Sequence, residues 1–449
     1  MYVGIDIGSS FVKSAVLDTE KFAVGEIRKI AVPGFVPNPN PLVRENDPNA
    51  ILDAVRRLID WNVSKHNSIE GVLFSTQMHG FVLMDEAGNS ITNYVTWQDE
   101  RSTEAMNRSG QTYLDAVKLL LDADDVRKSG MPIKPSLATC NLYHWMQHHQ
   151  PDRPCWFSTL GDYVIARLSH EKPSCHMTNA ASTGLVDIEA GDWSSNVTGK
   201  LGFDSLSFPP IIKEDVPCGV YETGGVRIPL YPAVGDQQAS MHGIFLTAET
   251  DLAINMGTGS QLCVASEKPT YGDYETRPFF ENRYLRVIPH LPAGRALSVL
   301  VGFIQDIGLK VYDTQMSTAA IWEKLDACIE EVAETDAEKD LDVNISFFQT
   351  AVVPNDGAIR GIDERNFTVG SLFYGAFENM ARNYYNLHHK LLLGETQIER
   401  ILCTGGLAER NPLLKRIIGE KFNLPCSAVP YSGDALAGLL RLARGNSAT

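Results

Sequence analysis

Gly4-Ile5-Asp6-Ile7-Gly8-Ser9-Ser10-Phe11-Val12-Lys13-Ser14 is the stretch that decides the fold, because an apolar strand there meets a turn of glycine and two serines. A similar stretch, Ala253-Ile254-Asn255-Met256-Gly257-Thr258-Gly259-Ser260-Gln261-Leu262, returns about 250 residues later. Both copies predict a strand, a loop of glycine and hydroxyl-bearing residues, and a second strand. Two such hairpins, one at the head of each half of the chain, predict a duplicated fold whose related loops face one cleft.

The rest of the chain alternates short apolar runs with helical patterns, which predicts an α/β architecture. One predicted helix runs from Asp47 to Ile59, with Asp47 as its N-cap and Pro48 in its first turn. A single hydrophobic core rarely grows beyond roughly 250–300 residues, so the 449 residues predict two domains. Proline and glycine cluster between residues 209 and 232, and we therefore expect domains of residues 1–231 and 232–449.

The first loop contains the groups that a phosphate and a hydrated divalent cation need. Gly8 allows a tight turn, Ser9 and Ser10 offer hydroxyl and N–H groups, and Lys13 adds a positive charge. Asp6, at the end of the strand, can hold a divalent cation. A plain hairpin turn with a surface lysine explains one copy equally well, but the second copy favours a polyphosphate held from both sides. The chain contains neither a P-loop nor a dinucleotide-binding Rossmann sequence.

Three segments together resemble the nucleotide-binding segments of the actin/hexokinase/Hsp70 ATPase superfamily: Asp6–Lys13, Asn255–Ser260, and Thr404–Ala408 with Asn411. Within this superfamily, the chain is similar to the FGGY carbohydrate kinases. The matching segments run from end to end of the chain: Ser75–Gly80, Trp97–Arg101, Thr178–Gly184, Val234–Ala239 and Gly433–Gly438. The resemblance implies two ribonuclease H-like domains of the actin-like ATPase fold, with a cleft between them that closes over Mg-ATP and a sugar.

The resemblance also implies which residues bind each ligand. The expected nucleotide-binding residues are Asp6, Gly8, Ser9, Ser10, Lys13, Gly257, Thr258, Gly259, Gly405, Gly406 and Asn411. Magnesium is expected at Asp6 and Asp236, through water. Without the resemblance, Gly405-Gly406 is equally compatible with an ordinary strand-to-helix turn.

The expected sugar-binding residues are Gln77, Met78, His79, Asp99, Arg101 and Asp236. A polyol needs hydrogen-bond donors and acceptors on fixed elements, and glutamine, histidine and aspartate supply both. A lone histidine beside a strand is usually structural, but Gln77 and the family resemblance favour a ligand role for His79. Asp99 and Arg101 could instead form a surface ion pair.

Asp236 is the candidate catalytic base, because the resemblance places the family's base at this Gly-Asp sequence. It follows the apolar run Tyr231–Gly235 and precedes a helical pattern over Gln237–Gly243. Near a helix N-terminus a carboxylate is expected to stay ionised and to accept a proton from the attacking hydroxyl. The position alone also fits an N-cap aspartate.

Composition and charge exclude several other classes of protein. The formal net charge of −16 disfavours binding to nucleic acids or anionic membranes. The 8 cysteines form no C-x-x-C pair, and no secretory signal is visible, which is typical of a reducing, cytoplasmic location. The cluster Cys140, His144, His148, His149 and Cys155 could suggest a metal site, but apolar residues interleave with it and favour a packing helix.

These observations predict an ATP-dependent carbohydrate kinase whose partner is a small sugar. A homodimer is compatible with them. The segment Gln77-Met78-His79 resembles that of xylulokinases, which indicates a ketose. Thr96–Asp99 and Gly235–Gln238 look closer to sedoheptulokinases, so sedoheptulose is preferred and xylulose is the runner-up. The alternatives are a non-catalytic ATP-binding protein of the actin/Hsp70 type and a sugar-binding regulator that has lost catalysis. The first gives no reason for the residues around His79, and the second gives none for Asp236.

Overall fold

Helices and strands alternate through the computed structural model, which describes residues 1–66, 68–149, 151, 153–335, 340–350, 353–427, 429 and 435–446. The described helices are α1 (Pro48–Lys65), α2 (Tyr113–Leu120), α3 (Ala123–Ser129), α4 (Ala138–His148), α5 (Leu160–Ser169), α6 (Met177–Ser182), α7 (Ser195–Lys200), α8 (Asp236–Gly243), α9 (Gly294–Tyr312), α10 (Thr318–Glu334), α11 (Val369–His388), α12 (Gly406–Arg410), α13 (Pro412–Phe422) and α14 (Ala435–Asn446). Two short 3₁₀ turns span Arg101–Thr103 and His389–Leu391. Gly433 and Asp434 of the last family segment lie outside the described residues.

The described strands are mostly short, and the longer ones build two sheets. They are β1 (Tyr2–Ile7), β2 (Phe11–Asp18), β3 (Ala23–Val24), β4 (Arg28–Ala31), β5 (Glu45–Asn46), β6 (Val72–Thr76), β7 (Val82–Asp85), β8 (Tyr94–Val95), β9 (Cys155–Ser158), β10 (Cys175–His176), β11 (Val186–Asp187), β12 (Asp192–Trp193), β13 (Leu206–Ser207), β14 (Ile211–Ile212), β15 (Gly219–Thr223), β16 (Val226–Gly235), β17 (Asp251–Met256), β18 (Ser260–Ser266), β19 (Glu275–Pro278), β20 (Tyr284–Leu291), β21 (Asp342–Asn344), β22 (Ala358–Arg360), β23 (Arg400–Thr404) and β24 (Cys426–Ser427).

The two large sheets repeat one strand order, as the two similar hairpins predict. The first runs β15-β16-β6-β1-β2-β3, with β4 also on β2, and the second runs β19-β20-β18-β17-β23-β24. In both, the hairpin is antiparallel (β1/β2 and β17/β18), and two parallel strands follow it on the same side: β6 and β16 in the first sheet, β23 and β24 in the second. The prediction of a duplicated α/β fold is therefore confirmed.

The predicted first helix forms as its sequence indicates. The side chain of Asp47 caps it by accepting a hydrogen bond from Asn49 N–H, and Pro48 occupies the first turn. The apolar stripe of α1 packs on one face of the first sheet together with α5. The helix continues to Lys65, beyond the predicted end at Ile59. The spacing of its buried residues extends to Asn62, whose side-chain amide is buried.

Two helices, α8 and α14, lie between the two large sheets. Through α14, the last described part of the chain packs against strands from its beginning. α8 and α14 pack in a core that also contains residues of both sheets, while α9, α10, α11 and α13 cover the far face of the second sheet. A Cβ on Gly438 of α14 would overlap the carbonyl of Ala239 in α8, so only glycine permits this crossing. β16 continues the first sheet to Gly235, across the predicted domain boundary after residue 231.

Among the described residues, no helix has both the length and the apolar character needed to cross a membrane.

Candidate active site

The carboxyl ends of three parallel strands meet at one edge of the first sheet and bring the main predicted residues together. Asp6 of β1 lies beside Ser75 of β6, and Ser75 in turn lies beside Val234 of β16. Beyond these ends, β6 leads directly to Gln77 and β16 to Asp236. Asp6, Gln77 and Asp236 therefore converge because parallel strands end at the same edge of a sheet.

A cavity of about 260 Å³ opens between the two halves of the chain at this edge. Residues of both halves line it: Ser9, Gln77, Met78, His79, Trp97, Asp236, Gln237, Gly259, Ser260, Gln261, Arg277, Pro289 and His290. A larger cavity, of about 1020 Å³, lies beside α5 and β15, but none of the predicted site residues lines it. The smaller cavity is the better candidate because carboxyl, imidazole and amide groups converge in it.

Asp6 is almost fully buried beneath the first loop. Its Oδ1 accepts a hydrogen bond from Ser75 Oγ at 2.9 Å, and its Oδ2 lies 3.4 Å from Lys13 Nζ. The register explains the ion pair, because Lys13 of β2 lies directly opposite Asp6 in the hairpin. The structure thus brings together the carboxylate and the lysine that the sequence assigns to magnesium and phosphate.

The tip of the first hairpin presents its hydroxyl groups to solvent. Gly8 N–H closes the turn by donating to the carbonyl of Phe11 at 3.1 Å, and Ser9 and Ser10 are exposed at the tip. Ser9 also lines the cavity. This geometry suits a loop that receives an oxyanion from the side of the cleft.

His79 faces the cavity from a conformation that is strained for a residue other than glycine, with φ of 68°. Its Nδ1 lies 2.7 Å from the carbonyl oxygen of Ser182, which can only accept, so Nδ1 carries the proton. Burial, with the charges of Lys134 and Arg277, lowers the pKa of His79 well below its usual value. The ring is therefore neutral at pH 7, and Nε2 can accept a hydrogen bond from a ligand hydroxyl.

Gln77 and Met78 complete this wall. Gln77 Nε2 donates to the carbonyl of Gly8 at 3.2 Å, which links the sugar segment to the first loop. The sulfur of Met78 lies where a side chain at position 235 would stand, since a Cβ on Gly235 would come within 2.9 Å of it. The two residues therefore hold the β1, β6 and β16 loops against one another.

Asp236 is the first residue of α8, and Gly235 is the N-cap. The Oδ1 of Asp236 accepts a hydrogen bond from Gln237 N–H at 2.8 Å. Burial and the negative charge of Asp6 raise the pKa of Asp236 to about 7. The expectation that the helix N-terminus keeps this carboxyl fully ionised is wrong, because desolvation and a like charge outweigh the helix dipole. A carboxyl that titrates near pH 7 is well matched to proton transfer at neutral pH.

Asp99 and Arg101 do not reach the cavity wall. Asp99 is fully buried, and Arg101 donates to its two carboxylate oxygens from Nε at 2.8 Å and Nη2 at 2.7 Å. Arg101 Nη2 also lies 2.5 Å from Glu45, and Arg44 N–H donates to Asp99 at 2.7 Å. Asp99 and Arg101 therefore form an ion pair, which is the alternative interpretation given above. The pair is buried, however, and does not lie on the surface. This geometry gives no support to its assignment to the sugar.

The second of the two predicted phosphate-binding loops forms a tight turn between β17 and β18. Gly257 N–H donates to the carbonyl of Gly259 at 3.0 Å, and Arg295 N–H at the start of α9 donates to the carbonyl of Thr258 at 2.8 Å. Gly259 lines the cavity from the second half of the chain, opposite Ser9. The two related loops therefore face one cleft, as the repeat predicts.

The third segment lies beside the second loop. Gly405 has φ of 93° and ψ of 155°, a combination essentially restricted to glycine, and a Cβ there would lie 2.5 Å from the carbonyl oxygen of Met256. Gly406 begins α12. Asn411 is buried, and its Nδ2 donates to the carbonyl of Leu407 at 2.8 Å. Its role beside adenosine stays a prediction.

A charged network behind the cavity was not predicted from the sequence. Arg277 lines the cavity and donates from Nη1 to Gln237 Oε1, next to the candidate base. Its Nε donates to Glu275 at 2.9 Å, and Lys134 Nζ donates to the other oxygen of Glu275 at 2.8 Å. No sequence pattern could have found this network, because Lys134 and Glu275 are 141 positions apart. Gln237 lies within the family segment Val234–Ala239, so it could have been predicted as a site residue.

Two further cavity residues were also missed. Trp97 is the first residue of the family segment Trp97–Arg101, so its place in the cavity could have been predicted from the sequence. His290 lies at φ of 62°, and burial, with the charge of Lys134, lowers its pKa to about 4. Two histidines with positive φ thus line one small cavity, and strained backbone is typical of ligand sites. No motif marks His290 in the sequence.

Cys140, His144 and His148 of the predicted cluster lie on α4, His149 follows its end and Cys155 begins β9, and none of them lines this cavity. His144 Nε2 lies 3.1 Å from a carboxylate oxygen of Glu104, and His148 Nε2 lies 3.1 Å from the hydroxyl of Tyr113. Cys140 of the same helix is fully buried. Within the part of the chain that the structure describes, no group of three or more metal-binding side chains is arranged around a common point.

Comparison with known proteins gives a consistent result. The sequence model described as the FGGY family of carbohydrate kinases, N-terminal domain, matches residues 1–243. A relative from Homo sapiens named sedoheptulokinase is 24% identical over an alignment of 474 positions, covering 95% of this chain and 93% of the relative. A Staphylococcus xylosus relative named xylulose kinase is 27% identical and covers 61% of this chain and 56% of its own.

The fold comparison agrees with the sequence comparison. The crystal structure of a ligand-bound xylulose kinase from Lactobacillus acidophilus superposes with a TM-score of 0.82 and 18% sequence identity. The superposition covers 100% of this chain and 89% of the other. The two chains share their fold across the two sheets described above.

Proposed function

Because the chain belongs to the FGGY family of carbohydrate kinases and so transfers a phosphoryl group to a sugar, we propose that its acceptor is a ketose, sedoheptulose first and xylulose second. The sedoheptulokinase relative supports this order, because its alignment covers 95% of this chain. The xylulose kinase relative supports the runner-up over 61% of this chain. The chain has the two-domain actin-like ATPase fold of these kinases. We propose domains that divide near residue 231 (1–231 and 232–449), with the last residues of β16 completing the first sheet.

One observation carries the proposal: Asp236, His79 and Gln77 line a single small cavity beside the first loop. Asp236 is half-ionised near pH 7, so it can accept the proton of a sugar hydroxyl as that hydroxyl attacks. His79 Nε2 accepts a hydrogen bond from another hydroxyl and orients the sugar. A protein that only bound ATP would have no use for this arrangement.

The phosphoryl donor proposed for this site is ATP. Ser9 and Ser10 from the first half, and Gly257 to Gly259 from the second, would bind the phosphates from two sides, while Gly405 and Gly406 would approach the adenosine. Lys13 would contribute its positive charge to the phosphates from beside Asp6. Most of the rate enhancement of phosphoryl transfer comes from such positioning and charge stabilisation.

Magnesium fits the residues at the floor of the cleft. Asp6 and Asp236 lie near enough for the charge of Asp6 to raise the pKa of Asp236, and these two carboxylates would hold a cation through water. Mg²⁺ is commonly held by one or two carboxylates together with water and phosphate oxygens. When bound, the ion neutralises charge on the transferred phosphoryl group.

An ADP-release assay across ketoses, aldoses and polyols tests the proposal. We expect turnover to be highest with sedoheptulose, followed by xylulose.

Asp236→Asn should lower kcat by roughly 10²–10⁴-fold, the contribution of a general base, while both ligands still bind by calorimetry. Asp215→Asn, the same change at an exposed position, is the matched control. Preference for an aldose or polyol would contradict the ketose assignment, and near-normal turnover of Asp236→Asn would reject the base.

A further inference from the structure

Two of the 8 cysteines, Cys403 and Cys426, lie side by side on neighbouring parallel strands. Cys426 of β24 is paired with Ile401 of β23, and side chains two positions apart share a face of a strand. Cys403 therefore faces Cys426 diagonally. Their sulfur atoms are 3.0 Å apart, and both are free thiols.

Cys426 differs from the buried cysteines, Cys403 among them, in its access to solvent. Cys426 is half-buried, and both cysteines line a surface cavity of about 790 Å³ beside α13. By contrast, Cys140 and Cys263 are fully buried, and burial raises the pKa of each thiol to about 12. A small oxidant can therefore reach Cys426 through the cavity, whereas the buried thiols remain protonated and enclosed.

The surroundings of the pair favour Cys426 as the nucleophile. The hydrogen bond with Cys403 lowers the pKa of Cys426, and the positive charge of Lys415 acts in the same direction. The same hydrogen bond, together with burial, raises the pKa of Cys403. Cys426 is thus the more acidic and the more accessible of the two sulfurs, and Cys403 stands within reach to resolve an oxidised Cys426.

We propose that Cys403 and Cys426 form a reversible oxidation site, in which a peroxide converts the two thiols into a disulfide that weakens use of the nucleotide. The Cys426 thiolate attacks one oxygen of hydrogen peroxide, the O–O bond breaks, and a sulfenic acid and one water result after protonation. The Cys403 sulfur attacks the Cys426 sulfur, the S–O bond breaks, and a second water leaves. Two thiols and one peroxide thus give one disulfide and two waters.

The effect on the nucleotide rests on the proposed function of the third segment. A disulfide requires the sulfurs to approach from 3.0 Å to about 2.05 Å. Cys403 is two residues before Gly405, whose backbone packs against the carbonyl of Met256 at the second phosphate loop. Cys403 is also paired with Ile254 of β17, the strand that leads into the second loop, so we expect movement of Cys403 to act on the two loops on the nucleotide side.

Peroxide treatment followed by peptide mapping under non-reducing conditions tests the site. We expect one cross-linked peptide pair containing Cys403 and Cys426, about 2 Da lighter than the two peptides together because two hydrogens are lost. The KM for ATP should rise about fivefold or more, the lower range of coupling between sites, with little change in the KM for sugar. Dithiothreitol should reverse both effects.

Three variants separate this proposal from general oxidative damage. Cys426→Ser and Cys403→Ser should each abolish the cross-link and keep the KM for ATP unchanged after peroxide. Cys328→Ser, at a half-buried cysteine elsewhere, should behave as the unmodified protein does. Absence of the cross-link, or a cross-link without a change in the KM for ATP, would overturn the proposal. Because the cross-link is detected by mass, it can be scored even if the ketose assignment fails.

Discussion

At the scale of single residues, opposing influences of the surroundings set the pKa of Asp236. Burial and Asp6 raise its pKa to about 7, whereas Arg277 acts to lower it. A base must be ionised to accept a proton, and kcat/KM reports ionisation in the free enzyme, so kcat/KM should rise with pH through about 7. Removing the positive charge in Arg277→Met should raise the pKa of Asp236 further and move this rise to higher pH, by roughly half to one pH unit. The measurement is kcat/KM as a function of pH.

Two companion variants separate charge from packing. Arg277→Lys keeps the positive charge but loses the planar contacts with Glu275 and Gln237, so its pH profile should stay near that of the unmodified protein. Arg283→Met removes a charge that pairs with Glu281. It should leave the profile unchanged. An unshifted profile in Arg277→Met would show that Arg277 does not influence the base.

His79 should act on the sugar through its free ring nitrogen. His79→Ala removes the Nε2 acceptor and should raise the KM for sugar about tenfold, the value of one hydrogen bond of about 1.4 kcal/mol. The KM for ATP should change little in a steady-state assay. His79→Gly removes the same acceptor but also relieves the backbone at φ of 68°, so it should be more stable than His79→Ala to urea. If the KM for ATP changed and that for sugar did not, the sugar assignment would be wrong.

At the scale of elements, the loops at the strand ends depend on glycine for close approach. Gly405→Ala would place a Cβ 2.5 Å from the carbonyl of Met256, while Gly394→Ala meets nothing within 4 Å although its φ is also positive, at 58°. Gly405→Ala should therefore lose about 1–3 kcal/mol more unfolding free energy than Gly394→Ala, because the former is overpacked and also has a backbone conformation essentially restricted to glycine. Urea unfolding of the two variants measures this difference. Equal losses would mean that β17 can move away from the third segment.

At the scale of the whole molecule, a buried ion pair connects the two halves beside the cavity. Lys134 Nζ bonds Glu275, which is 3% exposed, and Gly130 accepts a backbone hydrogen bond from Thr276 N–H at 2.9 Å. Lys134→Met should lower the free energy of unfolding by about 1–3 kcal/mol, because Glu275 loses one of its two buried partners. Urea denaturation provides the measurement.

An exposed ion pair serves as the control for this prediction. Lys390 and Asp273 are exposed, so Lys390→Met should change the free energy of unfolding by less than about 1 kcal/mol. If Lys134→Met were as mild as Lys390→Met, the contact between the halves would contribute little to stability.

The sequence by itself determined the features that depend on residues close together in the chain. The two hairpins, the cap of α1 at Asp47 and the position of Asp236 at a strand-to-helix junction were all predictable. They follow from strand patterns, glycine and proline conformations and capping chemistry, which act over a few residues. Family resemblance then extended these local segments to a two-domain kinase.

The tertiary structure decided how those segments meet and how their charges behave. It buried the Asp99 and Arg101 pair, placed Arg277 beside the base, and raised the pKa of Asp236 to about 7. None of this was predictable from local patterns, because burial and electrostatic interactions depend on groups brought together from distant parts of the chain. The ion pair between Lys134 and Glu275, 141 positions apart, exists only because the two halves pack against each other.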